Sequence, residues 1–291
     1  MVLMIENECL KVSFSELGGE LTSIQNQEDN IEYLWQGNPE FWGRQAPVLF
    51  PNVGRLKDDS YRYEGVTYYL GQHGFARDQR FTVKEHTATR IAFSLLSNEE
   101  SRKVYPFEFE LILSYELVGN QLICSYHVEN TGKGPMYFSI GGHPAFNVPL
   151  GNQGNFEDYF LRFAPKKSRL VLPLKGPYID LANKTLGQTN TDIALTRALF
   201  KNDAIVYETV GTNSYSIKSD RTPHSVTVTY DNMPYVGIWS PYPLEAPFVC
   251  IEPWCGVADT VEATGELTEK LGINHLASQE IFKNQYTIEI N

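Results

Sequence analysis

Residues 107–130 read FEFELILSYELVGNQLICSYHVEN, two runs of alternating apolar and polar residues separated by Val118, Gly119 and Asn120. Alternation with period two marks a strand with one buried face, because successive side chains point to opposite sides of the pleat. A Gly-Asn pair between two such runs makes the tight turn of an antiparallel hairpin. Working outward, CLKVSFS (9–15), RIAFSLLS (90–97), YFLRF (159–163), SYSIKS (214–219), HSVTVTY (224–230) and YTIEI (286–290) have the same strand-like character. Most are bounded by Gly, Asn, Asp or Pro. Helical segments are few and short, with single turns expected at residues 198–201 and 267–271. Many short strands at regular spacing predict an all-β sandwich or barrel rather than alternating β-α units. The loop-rich stretch 149–155 is flanked by strand-like sequence of similar composition on both sides, so one domain spanning 1–291 is expected. Residues 257–272, VADTVEATGELTEKLG, read as a polar surface connection with a helical start.

Composition agrees. The chain has 291 residues, 42% hydrophobic and 20% charged, with 17 Tyr and 16 Phe, which suit a pleated, half-buried surface. A chain of this length buries a sizeable core. The formal net charge is -11. No run of Lys and Arg forms a patch for nucleic acid or anionic lipid, so neither partner is expected. No apolar stretch reaches the ~18 residues of a membrane span. MVLMIENECLKVSFS lacks the basic and apolar regions of a secretory signal, and a cytoplasmic protein is expected. The 4 cysteines (Cys9, Cys124, Cys250, Cys255) have no CxxC spacing. Cys250 and Cys255 stand isolated from other ligand types, so reduced structural thiols are expected rather than a zinc site.

Three places depart from scaffold, and a fourth adds a carboxylate. In APVLFPNVGRLKDDSYRYEG (46–65), Arg55 is either an ordinary loop arginine or a planar donor fork for sugar hydroxyls. In GQHGFARDQRF (71–81), His73 stands beside Gly74, which lets backbone approach a ligand closely; Arg77 is a second donor or a partner for Asp78. In MYFSIGGHPAFNVPL (136–150), two glycines precede His143 and a proline follows, restricting the backbone path at the imidazole. A turn alone does not require that imidazole. In VGIWSPYPLEAPFVCIEPWCGVADT (236–260), Glu252 lies in an apolar strand read as ending at Pro253. A carboxylate buried there is costly unless paired or used, and burial raises its pKa toward that of a useful base. Trp239 and Trp254 are each either core or a flat face for a sugar ring.

The ordered set FPNVGRL, GQHGFAR, GGHPAFN and CIEPW resembles the aldose 1-epimerase (galactose mutarotase) family, in particular its divergent LacX-type branch. The resemblance runs from about Ile5 to the C-terminus. It implies a large antiparallel β-sandwich, the galactose mutarotase-like supersandwich. It implies that Glu252 is the general base at the anomeric hydroxyl and His143 the general acid at the ring oxygen. His73 and Arg55 match the residues that hold hydroxyls and polarise the ring oxygen. A hydroxyl-binding aspartate falls near LFKNDAIVYE (199–208), where Asp203 is the candidate and Asn202 the other alignment. The implied enzyme is an isomerase that opens a hexose hemiacetal and recloses it on the other face, with acid and base exchanging roles. It needs no metal, nucleotide or redox cofactor.

The expected partner is a small-molecule sugar such as galactose or glucose, and an exposed sandwich edge leaves room for a homodimer. Arg55, Arg77 and Arg80 keep open a hexose-phosphate 1-epimerase, which needs cations for phosphate. A non-catalytic sugar-binding or sensing protein is the third reading. Glu252 and His143 together argue against it, since binding alone does not need an acid and a base. A glycoside hydrolase would use two carboxylates across the bond, and only Glu252 stands out.

Overall fold

A computed structural model of the chain describes residues 3–291; the first two residues of the expected 1–291 domain lie outside them. The hairpin read at 107–130 is present: Phe109–Val118 pairs with Gln121–Asn130, Val118 opposite Gln121, around Gly119 at φ 58°. It forms part of a nine-stranded antiparallel sheet. In spatial order the strands are Ile193–Ala194, Tyr159–Ala164, Asn213–Ser219, Val226–Tyr230, Ile281–Ile290, Gln121–Asn130, Phe109–Val118, Arg90–Leu96 and Thr82–His86. Most of the strands read by alternation lie in this sheet; residues 9–15 contribute Leu10–Phe14 to a three-stranded N-terminal sheet.

A second antiparallel sheet runs Thr185–Gly187, Arg169–Leu172, Ile205–Glu208, Tyr235–Trp239, Phe248–Cys255, Ile140–Gly142 and Val48–Leu49, with Ala145–Asn147 also paired to Phe248–Cys255. Val236, Ile238, Val249 and Ile251 turn inward and join Leu111, Leu113, Leu122 and Ile288 of the nine-stranded sheet in one apolar core. The facing sides of the two large sheets are thus buried together, as in a sandwich. The alternate residues Phe248, Cys250, Glu252 and Trp254 point to the other face, where the site lies.

The Phe248–Cys255 strand does not stop at Pro253 as read from sequence but continues to Cys255. On one side its pairing passes from Ala145–Asn147 to Ile140–Gly142, and Pro253 falls in the gap between them. A residue without N–H therefore leaves no ladder partner unpaired on that side. The expected turns at 198–201 and 267–271 are the 3-10 segments Arg197–Phe200 and Leu267–Glu269. The α-helix Glu99–Val104, capped reciprocally by Asn98 and Ser101, was not read from sequence.

The helical start expected at residue 257 is absent, and the segment is no simple surface connection. Lys270 Nζ donates to Asp259 Oδ1 (2.9 Å) and to the Val257 carbonyl (2.6 Å), and both charged residues are buried. Among the described residues no helix is long and apolar enough to cross a membrane.

Candidate active site

Glu252 reaches the site face because it shares its strand parity with Phe248, Cys250 and Trp254. His143 and Pro144 occupy the break between Ile140–Gly142 and Ala145–Asn147, the stretch of the neighbouring chain that lies beside residues 251–253. The break puts the imidazole against the carboxylate: His143 Nε2 lies 3.1 Å from Glu252 Oε2. Glu252 is 2% exposed and His143 7%.

Burial acts on the two groups in opposite directions. It pushes the Glu252 carboxyl well above its ordinary value of 4.5; Asp203 adds to the rise, and the Trp254 indole N–H opposes it. Trp254 Nε1 makes no hydrogen bond of ordinary geometry. Burial pulls the His143 imidazole from 6.5 down to about 3, with Arg77 and Arg44 lowering it further and its own backbone opposing. Both effects favour the uncharged arrangement, a carboxylic acid against a neutral imidazole, in which one proton is shared between Oε2 and Nε2.

Aromatic rings fix the imidazole. Trp42 stacks on His143 (centroids 4.7 Å, 28°), and Trp239 meets it edge-on (5.7 Å, 85°). Trp254 lies over Gly141 and Gly237, where a Cβ would overlap its ring, so these glycines admit the indole close to the sheet.

His73 sits at φ 66°, in the left-handed region that is uncommon for residues other than glycine. Its N–H donates to the Gly54 carbonyl (2.8 Å), and the Gly54 N–H donates to its Nδ1 (3.0 Å). With Nδ1 accepting, the proton of the neutral ring resides on Nε2, which lies 3.3 Å from the Gln72 side-chain amide. Burial holds it neutral, its pKa well below the usual value, with the adjacent His143 acting in the same direction. The His73 and His143 rings are 5.6 Å apart, edge to face.

Arg55 is held by the Gln72 amide oxygen (3.3 Å) and the Asp59 carboxylate (3.5 Å). Arg77 donates to the Gln72 carbonyl (2.8 Å); its Nε is buried without a hydrogen bond, 3.9 Å from Asp78. Asp203, also left-handed at φ 71°, uses one carboxylate oxygen to accept from the Ala204 N–H (2.9 Å).

Glu252, His143, His73, Arg55, Arg77, Asp203 and Trp239 all line one cavity of ≈ 400 Å³. Asn202, the other alignment for the aspartate, does not line it. Arg80 does not either; it is exposed and paired with Glu16. Sequence reading missed Trp42 and Arg44, which also line the cavity. Neither carries a local motif, and both are recruited by the loop that follows Trp35. It also left Cys250 isolated from other ligand types, whereas the Cys250 sulfur, a His143 nitrogen and a Glu252 oxygen lie within 4.8 Å of one another.

The family model described as aldose 1-epimerase matches residues 1–271. The chromosomal protein LacX of Lactococcus lactis subsp. lactis is 35% identical over 301 residues, covering 100% of this chain and 99% of that protein. The X-ray structure of the galactose mutarotase related enzyme from Lactobacillus acidophilus is similar with a TM-score of 0.98 and 45% identity, covering 100% of this chain and 97% of that one. A galactose mutarotase-like protein from Lactobacillus casei ATCC 334 has a TM-score of 0.91 and 33% identity, with 100% of both chains covered.

Proposed function

The chain belongs to the aldose 1-epimerase family and has its large antiparallel sandwich fold, and from that premise we propose that it interconverts the α and β anomers of a free hexose such as galactose or glucose. The observation that carries the reading is the 3.1 Å separation of Glu252 Oε2 and His143 Nε2 in a cavity wall. The anomeric hydroxyl and the ring oxygen of a hemiacetal are bonded to the same carbon. An acid and a base on neighbouring atoms reach both oxygens at once.

In the proposed reaction the shared proton moves from Glu252 Oε2 to His143 Nε2. The carboxylate then takes the anomeric proton while the imidazolium protonates the ring oxygen, and the C1–O5 bond opens. The aldehyde turns about C1–C2, and the ring recloses with the two proton transfers reversed. The pair begins and ends with one proton, so solvent supplies none. His73 Nε2–H and Arg55 position the ring oxygen and hydroxyls, Arg77 and Asp203 contact further hydroxyls, and Trp239 offers an apolar face to the ring. A homodimer and a cytoplasmic location complete the reading.

A hexose phosphate is the second reading, favoured by one observation: Arg44, Arg55 and Arg77 all line the cavity. Guanidinium forks suit phosphate oxygens.

Polarimetry or NMR exchange on purified protein tests both readings, with galactose, glucose and a hexose-phosphate panel as substrates. Acceleration of anomer exchange is expected, and Glu252→Gln should lower it ~10²–10⁴-fold, the usual contribution of a positioned proton-transfer group. Acceleration confined to phosphates selects the second reading. Binding of sugars with no acceleration of any would leave a non-catalytic sugar-binding protein.

A further inference from the structure

Cys250, a buried thiol just behind the cavity wall, is a metal-ligating side chain that the proposed reaction does not use. It is 0% exposed and lies on the same strand face as Glu252, two residues away. Its cross-strand partner is Ala145, which follows the His143-Pro144 break. The result is a compact triangle: a thiol sulfur, an imidazole nitrogen and a carboxylate oxygen, mutually within 4.8 Å. Two of its corners, His143 and Glu252, line the cavity.

We propose that His143, Cys250 and Glu252 form a binding site for a thiophilic divalent cation of the zinc class, and that its occupation blocks the acid–base pair. The donor set matches the ion in kind. Zinc takes Cys, His and carboxylate ligands at ≈ 2.3, ≈ 2.0–2.1 and ≈ 2.0–2.2 Å, and three such bonds span this triangle when each side chain leans inward. Thiolate and imidazole favour zinc, cadmium or cobalt over magnesium or calcium, which demand oxygen ligands.

The charge balances as well. One thiolate, one carboxylate and a neutral imidazole cancel a divalent charge, which matters where solvent is excluded. On coordination the thiol proton and the proton shared by His143 and Glu252 pass to solvent, and no bond is oxidised or reduced. Because His143 and Glu252 line the cavity, water or a sugar oxygen would be available there to complete a fourfold coordination. Coordination removes Glu252 and His143 from proton transfer, so the ion inhibits rather than assists. Metal binding itself does not depend on the epimerase reading; the inhibition does.

Cobalt(II) is the spectroscopic probe, since a thiolate–cobalt bond absorbs in the near ultraviolet and a tetrahedral site gives strong visible bands. Wild type and Cys9→Ser, which removes the exposed thiol, should both show the charge-transfer band with one equivalent of cobalt, and zinc should displace it. Cys250→Ser, close to isosteric, should lose the band while keeping its circular dichroism and its metal-free acceleration. Outer-shell changes alone alter metal affinity ~10–100-fold, so losing this ligand should raise the zinc concentration for half-inhibition by at least about tenfold. Glu252→Gln should keep a weakened thiolate band. Absence of the band in wild type, its survival in Cys250→Ser, or equal zinc sensitivity of wild type and Cys250→Ser would overturn the proposal. The cobalt arm needs no turnover, so failure of the epimerase reading leaves it intact.

Discussion

Glu252 and His143 matter as a pair because each is buried and each lacks another strong partner. Burial opposes both adding a second proton, which would charge His143, and removing the shared one, which would charge Glu252. The acid limb of the pH profile follows His143, lowered from 6.5 to about 3, and the basic limb follows Glu252, raised above 4.5. An unperturbed pair would give a narrow optimum between 4.5 and 6.5 with limbs in both directions. The expected profile of kcat/KM is instead a plateau that extends below pH 4.5 and well above it, with apparent values belonging to the pair. Trp42→Ala should narrow it from the acid side. Losing the stacked ring admits water, lets His143 charge more easily and moves the acid limb to higher pH. A wild-type acid limb already near pH 6.5 would contradict this account of His143.

At the scale of elements, the segment after the Phe248–Cys255 strand couples its own burial to the site. Asp259 N–H donates to the Arg55 carbonyl (3.0 Å), and Lys57 N–H donates to Asp259 Oδ2 (2.9 Å), so one aspartate holds the chain on either side of Leu56. Lys270 neutralises that aspartate in a buried ion pair. Removing one member of such a pair strands the other charge; Lys270→Met should cost about 3–5 kcal/mol in urea unfolding. It should also raise KM for the sugar with kcat nearly unchanged, because Arg55 is displaced while Glu252 and His143 stay. Lost stability with an unaltered KM would mean that the segment does not position Arg55. The surface connection read from its polar composition describes residues 260–266, none of which is buried, but not Val257–Asp259, Leu267 and Lys270, which are. Only the meeting of Asp259 with Lys270 and with the Arg55–Lys57 backbone makes burial tolerable.

Across the whole molecule, one apolar core joins both large sheets to the N-terminal sheet. Separate unfolding of either sheet would expose the other's inner face, so the single-domain reading predicts one cooperative transition. The 4 tryptophans, Trp35, Trp42, Trp239 and Trp254, all belong to the clusters on the face of the second large sheet that carries the site. Their fluorescence and the far-ultraviolet circular dichroism should therefore give coincident urea curves; two separated midpoints would divide the chain into independent units.

Residue order was enough to read seven strands of the nine-stranded sheet and the 107–130 hairpin, but not Thr82–His86, Ile193–Ala194 or the order of the strands. Strands with one wet face write their period into the residue order, as 107–130 does. It also carried the four motifs that hold His73, His143, Arg55 and Glu252. Phe248–Cys255 is buried along its whole length, leaves no alternation to read, and showed only as an apolar run with a misplaced end. The family resemblance implied that His143 and Glu252 serve one sugar; their direct 3.1 Å contact, the presence of Trp42 and Arg44 beside them and the ligand triangle with Cys250 are visible only in the folded molecule. Those meetings depend on the register between strands far apart in the chain and on the break at His143-Pro144. Registers are set by packing of the whole core, which no local spacing records.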